Sequence, residues 1–410
     1  MGYQDLGPRE PGGGDVVHFG TARPPRKPWL RNGLIAVAVL ALAIVGVVRS
    51  IHHGHSKPAA VRPPPVTTTE VGQRLLGVTA GWELFARGSS DLVSVQPASG
   101  IVIRTVVPPL ASNNPEVAFI IGPHEAIVRS YDDVPGYVVP DGLPSQPLGG
   151  PLAADSPGAL VPGPHPGQAW VQWVPGSNPA AETLLLVSQN GKLTGQSIRL
   201  PPQALPATAV SDGRGYVLML TSTNAIYDAG PSWDRKISAQ ILAVGPTAWL
   251  GLACTGRQHC HNVEINPATG AQRALPGAPV QDALTFAWPA LGVTSPDGTT
   301  AAVPVFDGAS LVTIREINLQ SGASTALSVR MKTAPGYQTM VWSPDSRWLF
   351  AVTLGGGVAA ISEDTHQVRQ LGLTNISQLA IRAAPGEATA ASLAITAGQG
   401  VPPGPAGTVP

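Results

Sequence analysis

The chain predicts an all-β fold, a seven-bladed β-propeller behind a single transmembrane helix, and three observations carry that expectation. A strand–turn–strand signature recurs about every 44 residues between residues 77 and 353. A second, hairpin-like turn follows it in most of the same units, and an uncharged apolar run occupies residues 32–48.

The signature is plainest in "TMVWSPDSRWLFAVT" at 339–353, where β-branched and apolar runs flank Ser-Pro-Asp-Ser. Proline presets φ at the second turn position and aspartate suits the third, so the stretch reads as strand, turn, strand. The same plan appears in "GVTSPDGTTAAVPVF" (292–306), "AVSDGRGYVLML" (209–220) and "AVGPTAWLGLA" (243–253). It recurs in weaker form in "GPHPGQAWVQWV" (163–174), "FIIGPHEAIVRS" (119–130) and "GVTAGWELFAR" (77–87). The second series turns at Gly100, Gly142, Gly191, Gly230, Gly270 and Gly322, while His366 stands where the last unit would carry glycine. Each unit therefore holds four strands, the content of a propeller blade. A twisted four-stranded sheet cannot shield both faces alone, so such units pack side by side around an axis. Residues 376–396 read as an inner strand, a Pro385-Gly386 turn and another strand. They complete the first blade across the chain ends or, in the alternative reading, start an eighth blade.

"WSPDSRWLF" is similar to the W-SPDG-x-x-L-x-F core of TolB-like, WD-repeat-like propeller repeats. Trp342, Ser343, Pro344, Asp345, Leu349 and Phe350 match it, with Ser346 in place of the glycine. Ser295, Pro296, Asp297 and Gly298 match in the preceding unit, which lacks the aromatic residue before serine. These two units cover about 90 residues. The resemblance implies that the motif is structural, with Asp345 and Asp297 capping turns rather than performing catalysis.

Composition bounds the partners. Charged residues make up 12% of the 410 and the formal net charge is zero, so no net field draws nucleic acid, and none is expected to bind. Arginine outnumbers lysine by 20 to 5, a bias of GC-rich, actinobacterial type. The run Asn32–Val48, bounded by Arg31 and Arg49, has no amphipathic stripe and at 1.5 Å per residue spans roughly 25 Å. With snorkelling arginines that crosses a bilayer, so the lipid bilayer is the expected first partner. A cleaved signal peptide is the rival reading, but no A-x-A site follows closely. Five basic residues precede the helix and three follow it, which favours a cytoplasmic N-terminus and an extracellular propeller at the cell membrane. The expected organisation is a disordered cytoplasmic tail (1–28), the transmembrane helix (29–51), a Pro/Thr-rich linker (52–71), the propeller (72–397) and a disordered tail (398–410).

Candidate chemistry is sparse. Cys254 and Cys260 flank a Thr-Gly-Arg turn, where opposed hairpin positions come within disulfide reach in an oxidising compartment. A zinc site with His259 and His261 is the lesser alternative, because adjacent strand residues point to opposite faces. His124 and His165 both follow Gly-Pro at equivalent turns and form a candidate ligand rim for an unknown protein or small molecule. The adjacent Asp132 and Asp133 suit a solvated loop, and "HHGH" at 52–55 suits a solvated linker. No nucleophile elbow, Walker loop or metalloprotease motif occurs, and no catalytic residue, metal or cofactor is expected. The functional reading is a non-catalytic binding or protein-interaction module; the alternative is an exported propeller hydrolase or lyase acting on a glycan or lactone.

Overall fold

A computed structural model of the chain describes residues 67–110, 117–129, 136–149, 160–172, 183–188, 192–205, 209–256, 259–283, 291–307, 311–333 and 338–383. All belong to one compact unit, Pro64–Pro410. The N-terminal tail, the apolar run with its flanks, the linker up to residue 66, Asp132 and Asp133, Pro385-Gly386 and the C-terminal tail lie outside the described residues. Among the described residues there is no helix, and hence none long and apolar enough to cross a membrane.

The strands follow the repeat. β1 (Thr67–Val71), β2 (Glu83–Gly88), β3 (Asp91–Gln96) and β4 (Ile101–Val106) come first. β5 (Ala118–Ile121), β6 (Glu125–Arg129), β7 (Tyr137–Pro140) and β8 (Gln146–Pro147) form a four-stranded antiparallel meander. So do β9 (Leu160–Pro162), β10 (Ala169–Val171), β11 (Thr183–Val187) and β12 (Leu193–Arg199), and then β13 (Val210–Ser211), β14 (Val217–Leu220), β15 (Ile226–Gly230) and β16 (Trp233–Ile237). Two further meanders share one eight-stranded sheet. They are β17 (Gln240–Val244), β18 (Trp249–Thr255), β19 (His259–Ile265) and β20 (Gln272–Ala274), and β21 (Gly292–Thr294), β22 (Thr300–Phe306), β23 (Val312–Asn318) and β24 (Ser324–Arg330). Their first strands, β17 and β21, run in parallel and pair over two residues each. The last meander is β25 (Met340–Trp342), β26 (Trp348–Val352), β27 (Val358–Ser362) and β28 (Val368–Gln370).

The final strand, β29 (Ile376–Arg382), returns to the beginning and pairs antiparallel with β2, Leu84 opposite Ile381 and Glu83 opposite Arg382. It supplies the innermost strand of the sheet β29-β2-β3-β4-β1, so the chain ends are stitched together within one sheet. The second strand read in residues 376–396 lies outside the described residues; of the two readings of that stretch, this is closure across the chain ends for 376–382. It also displaces one expectation: residues 77–82, before the turn of the first repeat, are not a strand, because β29 occupies the inner place. Thr67–Val71, assigned to the linker by their Pro/Thr-rich surroundings, instead form β1 on the outer edge of β4. Three β-branched threonines suit that edge, whose burial pattern leaves four of five residues exposed.

The sheets stand in a propeller-like ring, five separate sheets and one of eight strands. Central strands read as continuous apolar runs because both faces are covered: all five residues of β26 are buried, as are six of seven in β22. Outer strands such as β12 and β20 are mostly exposed. Seven apolar clusters fill the joints between neighbours. The closing joint packs Trp82, Leu84 and Ile376 against Phe350 and Val352, with the Trp82 and Phe350 rings 5.7 Å apart edge to face. The next joint places Trp342 and Leu349 against Ile314 and Leu327, and Trp342 Nε1 donates to the Val293 carbonyl at 3.1 Å. The two tryptophans around Ser-Pro-Asp-Ser therefore serve different joints, Trp348 falling in the closing cluster.

Candidate functional site

The turns between the first and second strand of each meander share one end of the ring. In the best-matching turn Ser343 Oγ donates to Asp345 Oδ1 at 2.5 Å and accepts the Trp348 amide at 2.9 Å, while Asp345 also accepts the Arg347 amide at 3.3 Å. Pro344 occupies the position between serine and aspartate. Its sibling repeats the scheme around Pro296. Ser295 Oγ donates to Asp297 at 2.6 Å and accepts the Thr300 amide at 3.0 Å, and Gly298 takes φ 76° where the chain reverses. Burial alone would raise the Asp297 carboxyl, but hydrogen bonds with Ser295, Thr299 and Ser346 outweigh it and hold it below the ordinary range.

Neighbouring turns are tied to one another. Gly167 N donates to Ile121 O at 2.9 Å, Trp170 Nε1 to Gly215 O at 2.7 Å and Trp249 Nε1 to Asp212 O at 2.8 Å. Thr247 Oγ1 donates to Pro296 O at 3.0 Å, and Asp297 N to Ser346 Oγ at 3.1 Å. At the chain-end junction, where no turn exists, Arg382 Nη1 donates to Gly122 O at 3.3 Å. A belt of hydrogen bonds thus runs from turn to turn along this rim and fixes its loops.

His124 and His165 lie on two adjacent turns of that rim, joined by the Gly167–Ile121 bond, and both are exposed. His124 stands beside a polar cleft at the chain-end junction, its Nδ1 4.0 Å from Asp141 Oδ2. The cleft, about 100 Å³, is lined by Glu83, Phe85, Ser94, Gln96, Asp141 and Arg382 among others. Arg382 spans it, donating to Glu83 at 2.5 Å and Asp141 at 2.9 Å with its guanidinium 4.8 Å from the centre of the Phe85 ring. Burial raises the Glu125 carboxyl nearby, against the pull of His124 and Arg382.

A second charged group lies within the β13–β16 sheet, on its first turn and on β15 and β16. Asp212, fully buried, accepts the backbone amides of Arg214 and Tyr216, both at 2.8 Å, and Arg214 Nε at 2.8 Å. Arg214 also reaches Asp228 at 3.0 Å, and Arg235 binds the same oxygen. The Arg214 guanidinium lies 5.4 to 5.5 Å from the ring centres of Tyr216, Trp233 and Trp249. Burial, reinforced by Asp212, pushes Asp228 up to about 7 despite the two arginines. Tyr216 and Trp233, edge to face at 5.6 Å, remain partly exposed.

Cys254 and Cys260 are directly opposed across β18 and β19 and form a disulfide, as their spacing predicts. The bond closes the far end of that hairpin, away from the 245–248 turn. Among the described residues no group of three or more His, Cys, Asp or Glu side chains could hold a metal ion.

No protein-family model matches the sequence, and no curated protein matches it. Among solved structures the chain is similar to a Bacteroides uniformis protein proposed to be a 6-phosphogluconolactonase, at 12% identity and TM-score 0.46 over 74% of this chain and 100% of that one. It is also similar to TolB from Acinetobacter baumannii (13% identity, TM-score 0.38, 78% and 82% of the two chains). Oligogalacturonate lyase from Vibrio parahaemolyticus gives 10% identity and TM-score 0.41 over 74% and 99%. At such identities no site residue carries over.

The cleft and the buried arginine network lay beyond sequence reading for one reason. Glu83, Asp141 and Arg382 are separated by up to 299 residues, and only ring closure brings them together. Asp212 and Arg214 stood inside a recognised turn, "SDGRG", but nothing local points to Asp228 or Arg235.

Proposed function

We propose that this chain is a membrane-anchored, outward-facing seven-bladed propeller that binds a partner protein or small ligand at the rim of first turns, without chemistry of its own. The count of seven treats the eight-stranded sheet as two adjacent blades whose inner strands touch. The observation that carries the binding reading is the belt of turn-to-turn hydrogen bonds, which supports a preformed contact surface and lowers the ordering cost of association. Arg382, Glu83 and Asp141 at the cleft pair with one another, and the cleft of about 100 Å³ falls well short of the roughly 300 to 1,000 Å³ of ligand-enclosing pockets. Tyr216, Trp233 and Arg214 give one sector the composition of an interface hot spot. Anchoring and orientation rest on the uncharged 32–48 run and the basic bias before it.

Photo-crosslinkers placed at His165 and Trp233 of the full chain in its own membrane test this reading. Saturable adducts at these sites, absent from probes at Arg330 on the opposite rim, are expected. Equal labelling of both rims, or turnover of oligogalacturonate or a sugar lactone by the purified chain, would overturn it. Protease added to intact cells should remove the region after residue 60; protection of that region would reverse the orientation.

A further inference from the structure

His366 and Ser346 hold the left-handed backbone region, at φ 53° and 59°, where L residues other than glycine are strained. The β21–β24 meander carries glycine at both matching places, Gly322 in the outer turn and Gly298 in the first turn, and Gly100, Gly142 and Gly270 fill the outer turn of three other units, all with positive φ. Both exceptions belong to the β25–β28 blade, and both side chains reach the β21–β24 meander. Ser346 Oγ accepts the Asp297 amide, while His366 Nδ1 lies 2.9 Å from Glu316 Oε2. The Glu316 side chain on β23 is only 4% exposed, and neither of its carboxylate oxygens has a hydrogen-bond partner among the described residues, so the His366 contact is one of charge. Glu363, from the same turn as His366, accepts the Thr300 hydroxyl of β22 at 2.9 Å.

We propose that Glu316, Glu363 and His366 form a proton-operated latch between the β21–β24 meander and the β25–β28 blade, closed while the cluster keeps its proton and loosened when the proton leaves. The strain at His366 is then the cost of placing an imidazole against a buried carboxylate of the neighbour. Burial pushes Glu316 up to about 7, with His366 opposing the shift and Glu363 adding to it. These two are the charged groups that act on Glu316; its partners across β22 and β24, Ala302 and Thr325, are uncharged. The sign follows from a folded value raised above the ordinary 4.5. Proton binding favours the closed joint, and this contribution is complete below 4.5 and lost as pH rises through about 7. Beyond that range the Glu316 and Glu363 carboxylates repel each other across the joint.

Amide hydrogen exchange of the full-length chain, corrected for the intrinsic rate, tests the latch between about pH 6 and pH 8, where such a carboxyl titrates. Segments 312–318 and 358–370 should lose about tenfold protection across that interval while 101–106, which carries no carboxyl, keeps its own. Glu316→Gln, nearly isosteric and permanently neutral, should abolish the pH dependence. His366→Gly, which relieves the strained turn and so should fold, removes the group that opposes the rise of Glu316 and should move the loss to higher pH. A flat wild-type profile, an equal change in all segments, or an unchanged profile in Glu316→Gln would each overturn the proposal.

Discussion

The β21–β24 meander and the β25–β28 blade are built on one plan and differ where the backbone turns left-handed. The former places glycine at both positions, Gly298 and Gly322. The latter places Ser346 and His366 there; Ser346 bonds the former's Asp297 amide and His366 lies against its Glu316 carboxylate. In these two units a left-handed position is filled by glycine, or by a strained residue whose side chain reaches the neighbour.

The joint between these two units should fail most severely on losing Trp342. Its ring fills their shared cluster and its indole nitrogen bonds Val293 across the joint, so Trp342→Ala should cost about 3 to 5 kcal/mol in denaturant unfolding. The paired turns come next. Asp297 accepts the Ser295 hydroxyl and both the amide and the hydroxyl of Thr299, whereas Asp345 holds two bonds, one of them 3.3 Å. Asp297→Ala should therefore cost about 1 to 3 kcal/mol, and Asp345→Ala less. Because the Asp297 carboxyl is held below its ordinary 3.8, its contribution is present above that value and lost as pH falls through the folded one. Asp297→Asn should flatten the acid limb of the stability curve, which thermal melts at stepped pH would show.

Exchanging the left-handed residues sharpens the contrast. Gly298→Ser puts a Cβ 2.7 Å from Thr247 Oγ1 at φ 76°, an expected loss of about 1 to 2 kcal/mol by chemical denaturation. Ser346→Gly relieves strain but drops the Asp297 bond, so the two effects should cancel to within about 0.5 kcal/mol.

The legible part of the molecule was its turn chemistry. Ser-Pro-Asp, Asp-Gly and Gly-Pro stretches mark where strands reverse, because those residues act within four positions of themselves, and the Cys254–Cys260 bond was readable for the same reason. His366 stood out as a departure from glycine, yet its meaning needed Glu316, which sits in an ordinary strand with no local mark. His124 was visible, but Asp141 and Arg382 beside it were not, since a ring joins residues that the chain keeps far apart. β1 was missed because its threonines adjoin a proline run, and composition outweighed β propensity there.

All of this depends on β29 lying along β2. Cysteines introduced together at Leu84 and Ile381, which face each other in that pairing, test it most directly. Under non-reducing conditions the purified chain, nicked by protease between the two sites, should stay as one species held by the new bond and separate on reduction, with little cross-linking for Leu84→Cys paired with Ile361→Cys. Fragments that separate without reductant would contradict the closed ring.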